Sequence, residues 1–261
     1  MAKNEVAVKE TNTALALATG FEDDANSGFE GMGQEDFALP FLKLLTNTSP
    51  EVGEVDGAMP GFIMNTVTGE LHDGKKGIIV IPVAYVRQYI EWAPRGTGSG
   101  APINIYPATS DILTRTHREP GESKDYLDNG NYIENTANHY VMVLNDDGIP
   151  EPALIVMKST QLKKSRKWNS MLMSTKLMGK NGPFTPPMYS HTYRLTTQAE
   201  SNDKGKWFGW EVEKVGPIDD MSIYAAAKAF AAQIGAGEVK VKHENESAGG
   251  AAGGFGNEVP F

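Results

Sequence analysis

Short runs rich in β-branched and aromatic residues alternate with turn sequences along most of this chain, and this pattern favours strands over long helices. Two such runs, Phe62–Val67 and Gly77–Trp92, are separated by Gly- and Asp-containing sequences that are typical of tight turns. The other runs of this kind are His139–Leu144, Ala153–Met157, Met188–Gln198 and Lys206–Val215. The turn sequences Asn145–Gly148 and Ser201–Gly205 join these runs in pairs, which predicts two hairpins.

Two segments interrupt the strand pattern with apolar residues at helical spacing. We predict helices over Thr160–Met178 and Asp219–Ile234, the second with Asp219 and Asp220 at its N-terminal end. Residues 93–137 are rich in Gly, Pro, Asp and Asn and show no clear period, which predicts a long insertion or loop. The expected fold class is therefore mainly β, of the α+β type, with two helices.

Three regions of different composition follow one another in the 261 residues. Residues 1–35 are polar and acidic, with too little apolar surface to offset chain entropy, and are predicted to form a disordered arm. Residues 36–236 contain the strand and helix patterns and are predicted to form one β-rich core. Residues 237–261 are predicted to form a flexible Gly-rich tail with an apolar tip.

The chain contains no cysteine, which excludes disulfides, thiolate metal sites and a cysteine nucleophile. No run approaches the ~18 apolar residues of a membrane span, and the N-terminus lacks the order of a secretory signal. We therefore expect a cytoplasmic protein, in the host cell cytoplasm if the chain is viral, with no membrane partner.

The formal net charge of -9 argues against a nucleic-acid partner only until its distribution is considered. Residues 1–60 contain eleven acidic and three basic side chains, and residues 241–261 contain three acidic and one basic. The remaining stretch has 19 acids and 20 bases, so the acidity belongs to the ends of the chain.

The sequence offers no recognisable catalytic or metal-binding motif. The five histidines are scattered, without the spacing of a metal site. The Gly-rich stretch 96–100 lacks the Lys-Ser/Thr of a phosphate-binding loop and is typical of a mobile loop. We therefore predict no cofactor, no metal and no enzymatic activity.

The most basic part of the chain is Lys158–Lys180, which contains seven Lys and Arg residues and no acid. At about 100° per residue, four of these bases fall on one side of the predicted helix, and the apolar Leu162, Trp168 and Leu172 fall on the other. A solvated helix face would explain the charge, but a phosphate-contacting surface also explains the missing acids. The candidate DNA-binding residues in this segment are Lys158, Lys163, Lys164, Arg166, Lys167, Trp168 and Lys176.

Strand alternation within Gly77–Trp92 places Tyr85, Arg87 and Tyr89 on one face. Such a row could stack unpaired bases and leave the guanidinium for a phosphate, although the same residues are also common in ordinary strands. Tyr193 could extend this platform. We therefore add these four residues to the DNA-binding candidates.

The chain ends in Asn257–Phe261 after the Gly-rich linker, and this ending resembles the tails of bacterial and phage single-stranded-DNA-binding proteins. The resemblance implies an OB-like β-barrel core and a tail whose terminal ring and carboxylate bind partner proteins. The residues that would form this tip are Glu258, Val259, Pro260 and Phe261. The family tail usually has several consecutive acids, whereas this one has a single Glu.

These observations support three hypotheses. The first is a protein that binds single-stranded DNA without sequence preference in phage-type replication, recombination or repair. Its tail would recruit replication or recombination proteins, and it could be a homo-oligomer. The alternative is a bacteriophage virion structural or assembly protein. The third, a nuclease or nucleotide-modifying enzyme, would need a metal cluster of distant acids such as Asp111, Glu119 and Asp125.

Overall fold

The computed structural model describes residues 21–241, apart from 23, 34, 35, 95, 98, 99, 204 and 240. The chain divides into two compact units, residues 1–37 and 38–261. The described residues of the first unit form turns and short bends, one of them closed by a hydrogen bond from the Gly33 N–H to Asp36 Oδ2 (2.7 Å). The predicted arm lies largely outside the described residues, as does most of the predicted tail.

The described part of the second unit contains twelve strands and three α-helices. The strands are β1 (Leu42–Leu44), β2 (Ile63–Asn65), β3 (Leu71–His72), β4 (Ile78–Trp92), β5 (Asn104–Pro107), β6 (Asp125–Tyr126), β7 (Tyr132–Leu144), β8 (Pro150–Lys158), β9 (Leu177–Gly179), β10 (Gly182–Phe184), β11 (His191–Asn202) and β12 (Gly205–Pro217). The helices are α1 (Glu51–Glu54), α2 (Leu162–Ser174) and α3 (Met221–Gly235). Short 3-10 helices occupy Ile112–Arg115, Ser159–Gln161 and Met188–Ser190.

The largest sheet has seven strands, and its two long central members, β4 and β7, are antiparallel partners from Ile79↔Leu144 to Trp92↔Tyr132. The order β12-β11-β4-β7-β6 forms the main path, while β5 pairs with β4 and β8 pairs with β7. A three-stranded sheet, β1-β2-β3, and the two-stranded β9-β10 hairpin complete the arrangement.

The mainly β fold with helices is confirmed, but the OB-like barrel is not, because the described strands form open sheets. Both predicted hairpins are present, as β7–β8 and β11–β12. The stretch 93–137, which is predicted to be a long insertion or loop, contains the strands β5 and β6 and the start of β7. Strands β5 and β6 are short, and the β7 residues in this stretch are only the start of a longer strand. The composition of the stretch therefore resembles that of a loop.

Adjacent residues of the central strands point to opposite faces of the sheet, and each face is covered by a helix. On one face Val80, Val141 and Ile155 pack with Trp168 of α2, and β1 and β2 add to the same core. On the other face Ile81, Tyr140 and Leu154 pack with Phe230 of α3. Both faces are therefore buried, which explains the nearly continuous apolar runs in β4 and β7.

The end of the sheet formed by β5, β6 and the facing ends of β4 and β7 has small cores of its own. The Glu91 carboxylate is buried there and accepts hydrogen bonds from Asn104 Nδ2 (2.9 Å), Tyr106 Oη (2.6 Å) and Asn131 Nδ2 (2.6 Å). Burial alone would raise the pKa of Glu91, but these hydrogen bonds outweigh it and the pKa is lowered. An ionised carboxylate thus ties together three segments of the chain.

Four hydrogen bonds, two at Thr197 and two at Gln161, position the β11–β12 hairpin. The Thr197 N–H donates to the Gly74 carbonyl (2.8 Å) and Thr197 Oγ1 donates to the Gly61 carbonyl (2.5 Å). On the other side of the hairpin, the Gln161 amide donates to the Phe208 carbonyl (3.1 Å) and accepts from the Trp210 N–H (3.1 Å). The hairpin is therefore fixed to the turn before β4 and to the start of α2.

Candidate nucleic-acid interface

The basic segment lies within a longer stretch, residues 152–199, that contains no acidic residue. This stretch folds into the end of β8, helix α2, the β9–β10 hairpin and most of β11. Its eight bases are Lys158, Lys163, Lys164, Arg166, Lys167, Lys176, Lys180 and Arg194. Their environments divide them into groups with different chemistry.

Lys164 and Lys167 face the β11–β12 hairpin, which supplies the acids that their own segment lacks. Lys164 Nζ lies 2.7 Å from Glu200 Oε1 and also pairs with Glu211, and Lys167 Nζ lies 3.4 Å from Glu211 Oε2. Burial would lower the pKa of Lys164, but the hydrogen bonds with Glu200 and Glu211 outweigh it and raise the pKa. Lys164 is a charged structural clamp and is not available to a phosphate.

Lys158 also has an acidic neighbour, with its Nζ 3.5 Å from Glu134 Oε2. The pair joins the end of β8 to β7, because Lys158 and Glu134 belong to these adjacent strands. Lys158 therefore contributes to the sheet and is a weaker candidate for a phosphate contact than the sequence indicates.

Five bases of the stretch are exposed and form no ion pair with any described residue. One is Arg194 on β11, and the other four lie between the start of α2 and the loop of the β9–β10 hairpin: Lys163, Arg166, Lys176 and Lys180. Lys176 Nζ donates a hydrogen bond to Thr185, a neutral partner across the β9–β10 hairpin. Because these cations are solvated and lack acidic neighbours, a phosphate could bind them without displacing a carboxylate. We refer to these four residues as the open cations.

The β9–β10 hairpin adds apolar side chains to the open cations. Its register pairs Gly179 with Gly182, which leaves Lys180 and Asn181 as a two-residue loop. Met178 is 79% exposed and Phe184 is 46% exposed. Exposed apolar side chains beside unpaired cations offer both a surface for base stacking and partners for phosphate.

Trp168 and Tyr193 occupy the core and do not belong to this surface. Trp168 is fully buried, stacked on His139 with ring centroids 4.5 Å apart, and lies 6.0 Å from the Tyr193 ring. His139 Nε2 is hydrogen bonded to Ser165 Oγ (2.8 Å), which joins β7 to α2. The prediction that Trp168 and Tyr193 bind DNA was therefore wrong. Both are structural residues, because neither ring can reach a base while the core is closed.

The row on β4 is not an open platform either. Tyr89 is 6% exposed and packs with Ile112, which lies in the stretch predicted as a loop. Tyr85 packs against the α2 side of the core. Arg87 is exposed, donates from Nε to Asn135 Oδ1 (3.1 Å), and lies 5.3 Å from the centroid of the Tyr89 ring. Of the row, Arg87 alone is exposed, Tyr85 is half-buried and Tyr89 is buried.

A comparison with known protein families places the chain in one of them. The family model described as Pam3 phage gp34-like protein matches residues 8–240. The chain belongs to the Pam3 phage gp34-like protein family. No curated protein and no solved structure matches the chain.

Family membership makes the gp34-like chain a bacteriophage protein, as the sequence predicts. Its relationship to single-stranded-DNA-binding proteins is not confirmed by this match. The residues that carry that resemblance, Glu258, Val259, Pro260 and Phe261, lie outside the described residues. None of the described helices is long and apolar enough to cross a membrane.

Two of the three acids considered for a metal cluster, Asp125 and Glu119, have local side-chain partners. Asp125 accepts from Arg118 Nη2 (2.6 Å), and Glu119 Oε1 lies 3.4 Å from His117 Nε2. Asp111 precedes a 3-10 helix. Over the described residues, no group of three or more His, Asp or Glu side chains could hold a metal ion.

Sequence reasoning about the gp34-like protein missed the β9–β10 hairpin, which it placed inside or just after a helix. Lys180 lies in the loop of this hairpin and Phe184 lies on β10. The signal was the sequence Gly179-Lys180-Asn181-Gly182, in which two glycines enclose a two-residue turn. Gly182 has a φ of +105°, a conformation that glycine adopts readily.

Proposed function

We propose that this gp34-like protein binds single-stranded DNA without sequence preference and without catalysis, in phage replication, recombination or repair. The observation that carries the proposal is the acid-free segment that forms α2 and β9–β10, which presents the open cations next to exposed Phe184 and Met178. An unpaired strand exposes phosphates and base faces together, whereas a duplex hides its base faces.

The charge distribution supports a phosphate ligand over an acidic protein surface of defined shape. The open cations occupy a helix and a hairpin that follow each other directly in the chain. A flexible strand can adapt to such a row, and each phosphate that binds releases counterions. The proposal does not depend on the OB-like barrel, since α2 and β9–β10 lie outside the seven-stranded sheet.

Within the same proposal, the C-terminal residues recruit replication or recombination proteins, and a homo-oligomer would place several such surfaces along one strand. Linked binding surfaces increase overall affinity without any new type of contact. The host cell cytoplasm, where phage DNA is copied, is the expected location.

The decisive experiment replaces all four open cations with Gln and measures binding of a labelled oligo-dT strand by fluorescence anisotropy over a range of salt concentrations. A matched control removes the same charge elsewhere, at the exposed Lys75, Lys76, Arg115 and Lys228. We expect the first variant to bind more weakly. The slope of its log affinity against log salt concentration should decrease in magnitude by about 0.7 for each phosphate contact removed. The control variant should bind like the wild type.

Equal weakening in both variants would show that overall charge, and not this surface, governs binding. The matching duplex is titrated in parallel, and equal affinity for duplex and single strand would contradict the stated preference. No binding of the wild-type protein to either DNA at low salt would overturn the proposal.

A second candidate function, a virion structural or assembly protein, is favoured by one observation. Strand β5 pairs with β4 on one side, and two exposed residues, Ile103 just before the strand and Ile105 within it, are apolar. Edge strands with exposed apolar residues are typical sites of association between chains. This candidate predicts stable rings or particles in sedimentation experiments and no preference for single-stranded DNA.

A further inference from the structure

The β11–β12 hairpin, which is joined to α2 by the Lys164 ion pairs, has a surface with aromatic residues of its own. A cleft of about 410 Å³ opens there, and its lining includes two aromatic residues, a proline and several polar residues. The lining includes Asn47, Pro60, Ser201, Lys206, Trp207 and Phe208. A cleft of this size is large enough for one small planar ligand.

Trp207 is held in this cleft by a chain of charged and polar contacts. Its indole N–H donates to Glu200 Oε2 (2.9 Å), and Glu200 Oε1 lies 2.7 Å from Lys164 Nζ. The Glu200 carboxylate lies across Gly209, where an added Cβ would be 2.9 Å from its carboxyl carbon. The ring is therefore oriented before any ligand arrives, which reduces the entropic cost of stacking.

Phe208 provides a second fixed aromatic group. Its ring packs against Gly61, where a Cβ would come within 2.6 Å of the Phe208 ring. Phe208 and Trp207 are neighbours on β12, so their side chains lie on opposite faces of the strand. The tip of the hairpin thus carries an aromatic group on each face.

The electrostatics of the cleft suit a ligand with a planar ring and a negative charge. Glu200 is the acid in its lining, and the hydrogen bond from Lys164 lowers the pKa of Glu200, so the carboxylate is ionised but paired. Lys206 is exposed at the cleft, and Asn47 and Ser201 add an amide and a hydroxyl. A phosphate at Lys206 would therefore meet a cation rather than an unpaired acid.

We infer that this cleft accepts one base of a bound DNA strand, stacked on Trp207, with the adjoining phosphate at Lys206. The inference rests on the proposed function and names a second contact point for the same strand. The Glu200–Lys164 pair joins the cleft to helix α2, so one strand could follow the open cations and end or continue at Trp207. Sequence-tolerant stacking fits a protein without base preference.

The four tryptophans make the inference directly measurable. Trp92, Trp168 and Trp210 are buried, whereas Trp207 is partly exposed and lines the cleft. Saturating unlabelled oligo-dT should quench the part of the intrinsic emission that belongs to Trp207. In the variant Trp207→Phe, the remaining emission should not respond to oligo-dT.

Binding of labelled oligo-dT by anisotropy supplies the second measurement. Trp207→Ala should weaken binding about 5- to 150-fold, the equivalent of one stacked base, whereas Trp207→Phe should retain most of the affinity. A thermal melt of each variant checks that the hairpin still folds, and the emission change in the wild type does not depend on any variant.

The outcomes separate the inference from the proposed function. Tight binding of oligo-dT with unchanged tryptophan emission would show that the cleft does not accept a base, and so would a Trp207→Ala variant that binds like the wild type. Either result would leave the proposed function standing. No binding of oligo-dT by the wild type would overturn both.

Discussion

At the scale of single residues, the most unusual group is His139, which lies in the core between Trp168 and Tyr85. Nε2 is bound to Ser165, while Nδ1 has no hydrogen-bond partner among the described residues. Burial lowers the pKa of His139 to about 3, so the ring is neutral at any physiological pH. A neutral ring can stack flat on the indole, whereas a charged one would have to be desolvated.

This buried histidine makes stability depend on pH above the range in which carboxylates titrate. In the unfolded chain His139 takes up a proton below about pH 6.5, but in the folded protein it does not, so stability falls as the pH falls. We expect His139 to remove about 1.4 kcal/mol of unfolding free energy between pH 7.5 and 5.5. Urea unfolding at the two pH values measures this loss.

The variant His139→Gln should be less stable at both pH values but should lose less stability between them. His191 remains in both proteins, and its pKa is also lowered, by burial and by Lys214, so some pH dependence should persist. An unchanged pH dependence in the variant would contradict the role given to His139.

The sequence predicts a basic surface at α2 but cannot separate Lys163 from its neighbour Lys164. Adjacent residues on a helix differ in direction by about 100°, and here that rotation brings Lys164, but not Lys163, to Glu200 and Glu211. These acids come at least 36 positions later in the chain, on another element. Which cations remain open is therefore a tertiary property.

At the scale of elements, the turn before β4 packs closely against strand β11. A Cβ on Gly74 would lie 1.9 Å from the Gly61 carbonyl oxygen and 2.1 Å from Thr197 Oγ1. The close approach is what allows Thr197 to donate to both glycine carbonyls. The junction holds β11 in register with the start of β4.

Gly74→Ala should therefore destabilise the protein by about 3 kcal/mol or more, because backbone atoms must separate to admit the methyl group. Gly53→Ala in α1 is the matched control, since nothing lies within 4 Å of its added Cβ and alanine favours helix. Urea midpoints of the two variants measure the difference. A Gly74→Ala protein as stable as the Gly53→Ala protein would contradict this packing.

Hairpins with clear turn sequences could be predicted from the sequence, but the end of α2 could not. The pattern predicts a helix to Met178, whereas α2 ends at Ser174 and Thr175 is extended, with a ψ of 123°. Leu177 and Met178 continue the apolar spacing but pair with β10 instead. Six residues of strand pairing contribute too little periodicity to compete with the preceding helical pattern.

At the scale of the whole molecule, the seven-stranded sheet has two ends with separate cores. One end packs between α2 and α3, and the other end depends on small clusters and on Glu91. The OB-like barrel was expected from a resemblance in the last five residues and in the layout of core, Gly-rich linker and apolar tip. These features carry no information about strand pairing, so the topology could not follow from them.

Glu91→Ala should loosen the end of the sheet that contains β5 and β6 without unfolding the rest. Each donor left without an acceptor costs about 1–3 kcal/mol, and three donors lose theirs. We expect faster amide exchange in residues 104–107 and 125–133, measured by hydrogen–deuterium exchange. Protection in β8 and β11 should stay unchanged.

Glu122→Ala is the control, because Glu122 is exposed and its side chain accepts one hydrogen bond from the described residues, that of the Tyr126 hydroxyl. It should leave exchange in both regions near the wild-type rate. Uniform loss of protection over the entire sheet in Glu91→Ala would show that the two ends unfold as one unit.

The amide of Gln161 has a consequence for how this protein meets other copies of itself. Its carbonyl and NH2 groups occupy the Trp210 N–H and the Phe208 carbonyl, the pair of backbone groups that a further strand would use. One side chain thus imitates a peptide unit and ends the hydrogen-bond ladder at that point. Strand β12 can then carry its aromatic groups near the surface while this part of its edge offers no template for aggregation.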